Sequence, residues 1–148
     1  MIRKALGATR TQIIATAAVG RSSGRSLSIL VAEDNAVNQK VAAAMLAGMG
    51  HQTTLAADGI QALEKWSQAS FDLIFMDMQM PGIDGFEATR RIRSQELARE
   101  SRTPIIAMTA RAMNGDRERC IEAGMDDYVS KPVTRETLAR ALKRYTLG

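Results

Sequence analysis

Apolar and polar positions alternate along this chain with two different periods. Three short runs are almost wholly apolar: Leu27-Ser28-Ile29-Leu30-Val31-Ala32, Phe71-Asp72-Leu73-Ile74-Phe75-Met76 and Pro104-Ile105-Ile106-Ala107-Met108-Thr109. Runs of that length and composition predict strands buried on both faces. His51-Gln52-Thr53-Thr54-Leu55 predicts a more polar strand, and Asp127-Tyr128-Val129-Ser130 a fifth. Between the strands the period changes to that of a helix. Val37, Val41, Ala44, Met45 and Met49 recur at helical spacing and end on Gly48 and Gly50. A second helix carries Ile60, Leu63 and Trp66. A third, from Phe86 to about Arg99, turns Ile92 inward and leaves Arg90, Arg91 and Arg93 as a solvated basic face. A fourth covers Asp116–Ala123 and stops at Gly124, and a fifth runs from an N-cap at Thr134 to about Tyr145. Five strands alternating with five helices specify an α/β fold: a doubly wound parallel sheet with helices on both faces.

Composition alters this picture in two places. The 148 residues carry 20 Lys/Arg against 16 Asp/Glu, a balance that invites a nucleic-acid reading. Residues 1–26, however, hold Arg3, Lys4, Arg10, Arg21 and Arg25 and no acid. The other 15 of the 20 basic residues face all 16 acids, so the remainder has a net charge of −1. A phosphate-neutralising surface needs a concentrated basic face, and no direct contact with nucleic acid is expected. Residues 1–26 read as a basic tail or interdomain linker, given the flexible composition of Arg21-Ser22-Ser23-Gly24-Arg25-Ser26. A secretory signal or transit peptide is the alternative for this segment. The single cysteine, Cys120, leaves no disulfide framework or multi-cysteine metal site. It reads as inert packing on the fourth helix and fits a reducing, cytoplasmic compartment. Nothing approaches the roughly 20 apolar residues of a membrane span, so no membrane contact by this domain is expected.

The chemistry lies just past the strand ends, the edge at which open parallel sheets bind ligands. Glu33 and Asp34 follow the first strand, Asp77 ends the third, Thr109 ends the fourth and Lys131 follows the fifth. Three carboxylates at one rim repel one another, and a hard divalent cation with oxygen ligands relieves that repulsion. Mg²⁺ suits a few carboxylates with water and phosphate, and Mn²⁺ can substitute. With the cation in place Asp77 can attack phosphorus. Thr109 and Lys131 can then hold the new phosphoryl oxygens by a hydrogen bond and a charge. Taken singly, Glu33-Asp34-Asn35 is an ordinary helix start, Thr109 a strand-end threonine and Lys131-Pro132 a turn. Their conjunction at four strand ends is what a structural reading fails to explain.

From Leu27 to about Leu147 the chain resembles a response-regulator receiver domain, the phosphoacceptor module of two-component signalling. The matching segments are Val31-Ala32-Glu33-Asp34-Asn35, Met76-Asp77-Met78-Gln79-Met80-Pro81-Gly82-Ile83-Asp84-Gly85, Met108-Thr109-Ala110 and Tyr128-Val129-Ser130-Lys131-Pro132. The resemblance implies the flavodoxin-like strand order 2-1-3-4-5 and a receiver domain over 27–148. By position it implies Asp77 as the phosphoacceptor, Glu33 and Asp34 as Mg²⁺ ligands, and the Gln79 carbonyl as a further ligand. Thr109 and Tyr128 correspond to the switch hydroxyl and switch aromatic, and Lys131 to the phosphate-pairing lysine with a cis bond to Pro132. Gln79 and Arg111 correspond to the two positions that tune dephosphorylation. The implied partner is a histidine kinase or histidine phosphotransfer domain, with the chain a monomer or weak dimer. For the domain itself the resemblance implies self-phosphorylation and autodephosphorylation, and for a parent chain the transferase activity of a sensor histidine kinase.

Other functions fit less well. A haloacid-dehalogenase-type phosphatase also forms an aspartyl phosphate, but needs a second aspartate where Gln79 stands. A flavodoxin-like FMN carrier would cradle phosphate where Glu33-Asp34 repels it. The segments Glu33–Lys40 and Ala123–Tyr128 most resemble receivers on the C-terminal side of hybrid sensor histidine kinases, whose parent chains can be anchored in the inner membrane. A stand-alone regulator is the other arrangement. The methionines, among them Met45, Met49, Met76 and Met108, read as core filler, and His51 as an exposed residue at a strand start.

Overall fold

A computed structural model describes residues 26–110 and 115–146; the expectations for the basic tail and for Arg111 fall outside these residues. The element order is β1 (Ser28–Ala32), α1 (Ala36–Gly48), β2 (Gln52–Ala56), α2 (Gly59–Gln68), β3 (Leu73–Asp77), α3 (Gly85–Arg99), β4 (Ile105–Thr109), α4 (Asp116–Ala123), β5 (Asp127–Ser130) and α5 (Arg135–Thr146). The five strands form one parallel sheet in the order β2-β1-β3-β4-β5. That is the α/β architecture expected from the sequence.

Strand alternation divides the core into two layers. Ile29, Val31, Leu73 and Phe75 point to the side covered by α1 and α5, where Ala42, Leu46, Leu138 and Leu142 meet them. Leu30, Ala32, Ile74 and Met76 point to the side covered by α2, α3 and α4, against Trp66, Ile92 and Cys120. β3 and β4 are buried along their whole length, which is why their sequences run apolar rather than alternating. The helices start where side chains cap them. Asn35, Asp58 and Asp84 accept from the amides of Asn38, Gln61 and Glu87, and Thr134 Oγ1 accepts from the Thr137 amide at 3.1 Å.

Three expectations need correction, for α1, for Arg93 and for His51. The buried face of α1 is Ala42 and Leu46, with Met45 and Met49 packed beside them, whereas Val37 and Val41 are 67% and 40% exposed. The stripe that meets the sheet is set by Ala42 and Leu46, one position on from the stripe of Val37 and Val41, so the valines turn toward solvent. Arg93 is not a solvated residue either. Its side chain is only 15% exposed and ion-pairs with Glu96 at 2.7 Å and Asp126 at 2.9 Å. It also donates to the carbonyls of Thr103 and Gly124, both at 2.8 Å, and so ties α3 to the C-terminal end of α4. His51 is half-buried, and its Nδ1 accepts from the Leu27 amide at 3.1 Å. Among the described residues no helix is long and apolar enough to cross a membrane.

Candidate functional site

The register brings the predicted residues together. Glu33 stands one residue past β1, hydrogen-bonded through its amide to the Ala56 carbonyl at 2.9 Å. Asp77 closes β3 and Thr109 closes β4, while Lys131 follows β5 with its amide donating to the Thr109 carbonyl at 2.7 Å. One carboxylate oxygen each from Glu33, Asp34 and Asp77 lie within 4.8 Å of one another. Glu33, Asp77 and Thr109 are buried, whereas Asp34 is exposed at the rim. All five residues line one open cleft of about 1060 Å³, together with Asn38, Gln79, Asp116 and Arg119. The last two had no signal in the sequence beyond their charge.

Local hydrogen bonds aim the carboxylates. Glu33 Oε2 accepts from the Asn35 amide at 3.0 Å, and its carbonyl accepts from Gln39 Nε2 at 2.6 Å. Asp77 Oδ1 accepts from the Gln79 amide at 3.1 Å. Gly85 opens α3 directly against the end of β3. A Cβ there would lie 2.2 Å from the Asp77 carbonyl oxygen, so only glycine permits this approach. The Lys131–Pro132 bond is cis, as expected. Tyr128 is half-buried against the α2–α3–α4 layer.

Lys131 Nζ sits 3.1 Å from Glu33 Oε1 and 3.1 Å from Asp77 Oδ2. Burial alone would raise Glu33, but the Asn35 amide and the Lys131 ammonium outweigh it and hold this carboxyl below its ordinary range. Asp77 goes the other way. Burial pushes it up to about 6, with Glu33 adding to the rise, despite the opposing pull of the Gln79 amide and Lys131. Burial would lower Lys131, yet its bonds to the two carboxylates raise it. The ammonium thus neutralises only part of the acidic cluster. Burdened acids with oxygens this close suit a hard divalent cation. Asp34→Asn should weaken Mg²⁺ binding by about tenfold, since affinity follows ligand charge. Calorimetric titration checks this; an unchanged affinity would exclude Asp34 as a ligand.

Comparison with known proteins gives the same picture. The profile of the response regulator receiver domain matches residues 29–143. Hybrid signal transduction histidine kinase I of Dictyostelium discoideum is 45% identical over 115 residues, which are 74% of this chain and 7% of that protein. The chain therefore spans a small part of that relative. The receiver domain of sensor histidine kinase PA1611 from Pseudomonas aeruginosa PAO1 was solved with a magnesium ion coordinated in its active-site cleft. It superposes with a TM-score of 0.75 at 49% identity, covering 84% of this chain and all (100%) of that one. The receiver domain of Ssk1 from Saccharomyces cerevisiae, solved with the histidine phosphotransfer protein Ypd1, gives 0.79 at 28% identity over 82% of this chain and 90% of that one. The acidic cluster at the strand ends, the parallel sheet and these likenesses agree: this chain belongs to the response-regulator receiver domain family of two-component phosphorelays.

Proposed function

We propose that Asp77 accepts a phosphoryl group from a phosphohistidine and thereby changes the surface this domain offers to partners. The observation that carries the reading is the convergence of Glu33, Asp34, Asp77, Thr109 and Lys131 on one cleft. Mg²⁺ would be held by Glu33, Asp34, Asp77 and the Gln79 carbonyl, with Mn²⁺ as a substitute, and supplies charge neutralisation for the entering phosphoryl oxygens. Asp77 Oδ attacks phosphorus, and the bond from phosphorus to the donor nitrogen breaks, so the imidazole leaves with that electron pair. Lys131 then exchanges part of its contact with Asp77 for a phosphoryl oxygen, since Asp77 loses its charge as it becomes an acyl phosphate. The Thr109 hydroxyl, at the end of the adjoining strand, bonds a second phosphoryl oxygen. Movement of Thr109 frees space into which Tyr128 turns, altering the β4–α4–β5 face. Gln79 at the rim and Arg111 tune hydrolysis of the acyl phosphate.

The partner is a histidine kinase or histidine phosphotransfer domain, as the Ypd1 complex of the Ssk1 receiver suggests. Residues 27–148 form the receiver and 1–26 a linker. The likeness to PA1611 and to the Dictyostelium kinase supports an origin within a hybrid sensor histidine kinase, with the receiver itself in the cytoplasm. Transfer of label to this chain from a phosphorylated phosphotransfer domain, dependent on Mg²⁺ and yielding an alkali-labile product, tests the reading; absence of transfer from every such donor and from small phosphodonors overturns it. Thr109→Ala should still accept phosphate. Its amide NMR spectrum should lose most of the shift that beryllofluoride causes on α4 and β5, and an undiminished shift would remove Thr109 from the switch.

A further inference from the structure

We propose that Arg119 on α4 is a specificity residue for the anionic phosphoryl donor, drawing the dianion into the cleft that Asp77 serves. The inference rests on the reading of Asp77 as phosphoacceptor and adds the residue that selects the charge of what enters. Among the described residues, the cleft lining carries four carboxylates, Glu33, Asp34, Asp77 and Asp116, and two cations, Lys131 and Arg119. Lys131 is committed, 3.1 Å from both Glu33 and Asp77. Arg119 is committed far less: its ion pair with Asp116 spans 3.9 Å, and its side chain is 64% exposed. Its guanidinium lies 4.7 Å above the centre of the Phe86 ring. An aromatic face fixes an arginine without consuming its N–H donors, which leaves a planar fork suited to phosphate.

Phe86 is itself well placed. It is buried, and it follows Gly85, whose backbone abuts the Asp77 carbonyl. The ring therefore holds the guanidinium at a fixed station relative to the nucleophile while leaving it open to solvent. Charge decides what this station does. Among the described lining residues, four acids against two bases leave a charge of −2, which a divalent cation brings to neutrality. Removing Arg119 shifts the charge of the described lining by one unit toward negative even with the metal bound, which weakens attraction of a phosphoryl dianion. Arg119 thus serves entry rather than the chemical step, for which Lys131 and the metal ligands suffice.

The test is a charge series in the whole chain: Arg119→Lys, Arg119→Gln and Arg119→Glu, labelled with acetyl phosphate at saturating Mg²⁺. At about 0.01 M salt the second-order labelling rate should fall roughly threefold for Gln and tenfold for Glu, with Lys close to the parent, because local charge sets the encounter rate of a charged ligand. Near 1 M salt, where the screening length shrinks to about 3 Å, the differences should collapse. Melting temperatures should stay together, since the residue is exposed. Parent-like rates for Gln and Glu at low salt would overturn the proposal, as would a loss of equal size at both salt concentrations, which marks a structural effect. If the parent chain itself takes no label, the reading of Asp77 fails first, and the series shows this by its control.

Discussion

Asp77→Asn should reduce incorporation of phosphoryl label, from acetyl phosphate or from a phosphohistidine donor with Mg²⁺, to background. An amide has nearly the shape of the carboxylate but no anionic oxygen with which to attack phosphorus, and it removes one ligand of the acidic cluster. Label retained at the parental level would place the acceptor elsewhere. The same substitution separates function from folding. Asp77 is pushed up to about 6 by burial, so the folded state binds its proton more tightly than the unfolded chain does. The sign follows: the stability linked to this group is fully present below the unfolded value near 3.9 and is lost as pH rises through about 6. At pH 7 and without metal, the ionised carboxylate therefore burdens the fold. Asp77→Asn should raise metal-free stability there by about 1–3 kcal/mol, and the gain should vanish below about pH 4. Denaturant titrations in a chelating buffer at both pH values read this difference. An inactive variant that is also less stable at pH 7 would contradict the burden assigned to Asp77.

Gly85→Ala should have the largest effect on stability. The added Cβ would lie 2.2 Å from the Asp77 carbonyl oxygen and 3.0 Å from its carbonyl carbon. Both belong to the backbone of a fully buried central strand, so neither can yield without moving β3. Overpacking of this kind costs roughly 3 kcal/mol, a fall in melting temperature on the order of 10 °C for a domain of this size. Because the displaced group is the backbone of Asp77, the fraction that stays folded should also label more slowly. A melting temperature within a degree of the parent would show that the strand can relax and that this contact does not position Asp77.

The residues of the strand rim are legible through their conjunction at strand ends, since apart from Asp77 each taken singly reads as ordinary structure. An apolar run that stops at an acid, followed by Pro81-Gly82, marks both a buried strand and the loop beyond it. Asp77 is read off in this way, Glu33, Asp34, Thr109 and Lys131 by their places at the other strand ends, and the structure gathers all five in one cleft. What escaped the sequence depends on partners distant along the chain or on the rotational phase of a helix. The periodicity of α1 favours Val37 and Val41, yet the helix is turned so that Ala42 and Leu46, one position further on, face the sheet. Hydrophobicity alone does not carry that distinction. Arg93 looked like one member of a solvated basic face, because its partners Thr103, Gly124 and Asp126 lie 10 to 33 residues away. Arg119 was invisible for the same reason, since its ring contact Phe86 belongs to another helix.

The ammonium wedged between Glu33 and Asp77 has an implication for how such a module waits. A cluster of buried acids with no positive charge among them would depend on metal merely to stay folded. Here a tethered lysine supplies part of that positive charge from within the chain, 3.1 Å from each carboxylate. On the reading of Asp77 as acceptor, withdrawing divalent ions should therefore idle the socket without dismantling it, leaving the supply of phosphoryl groups rather than refolding to set how often it fires.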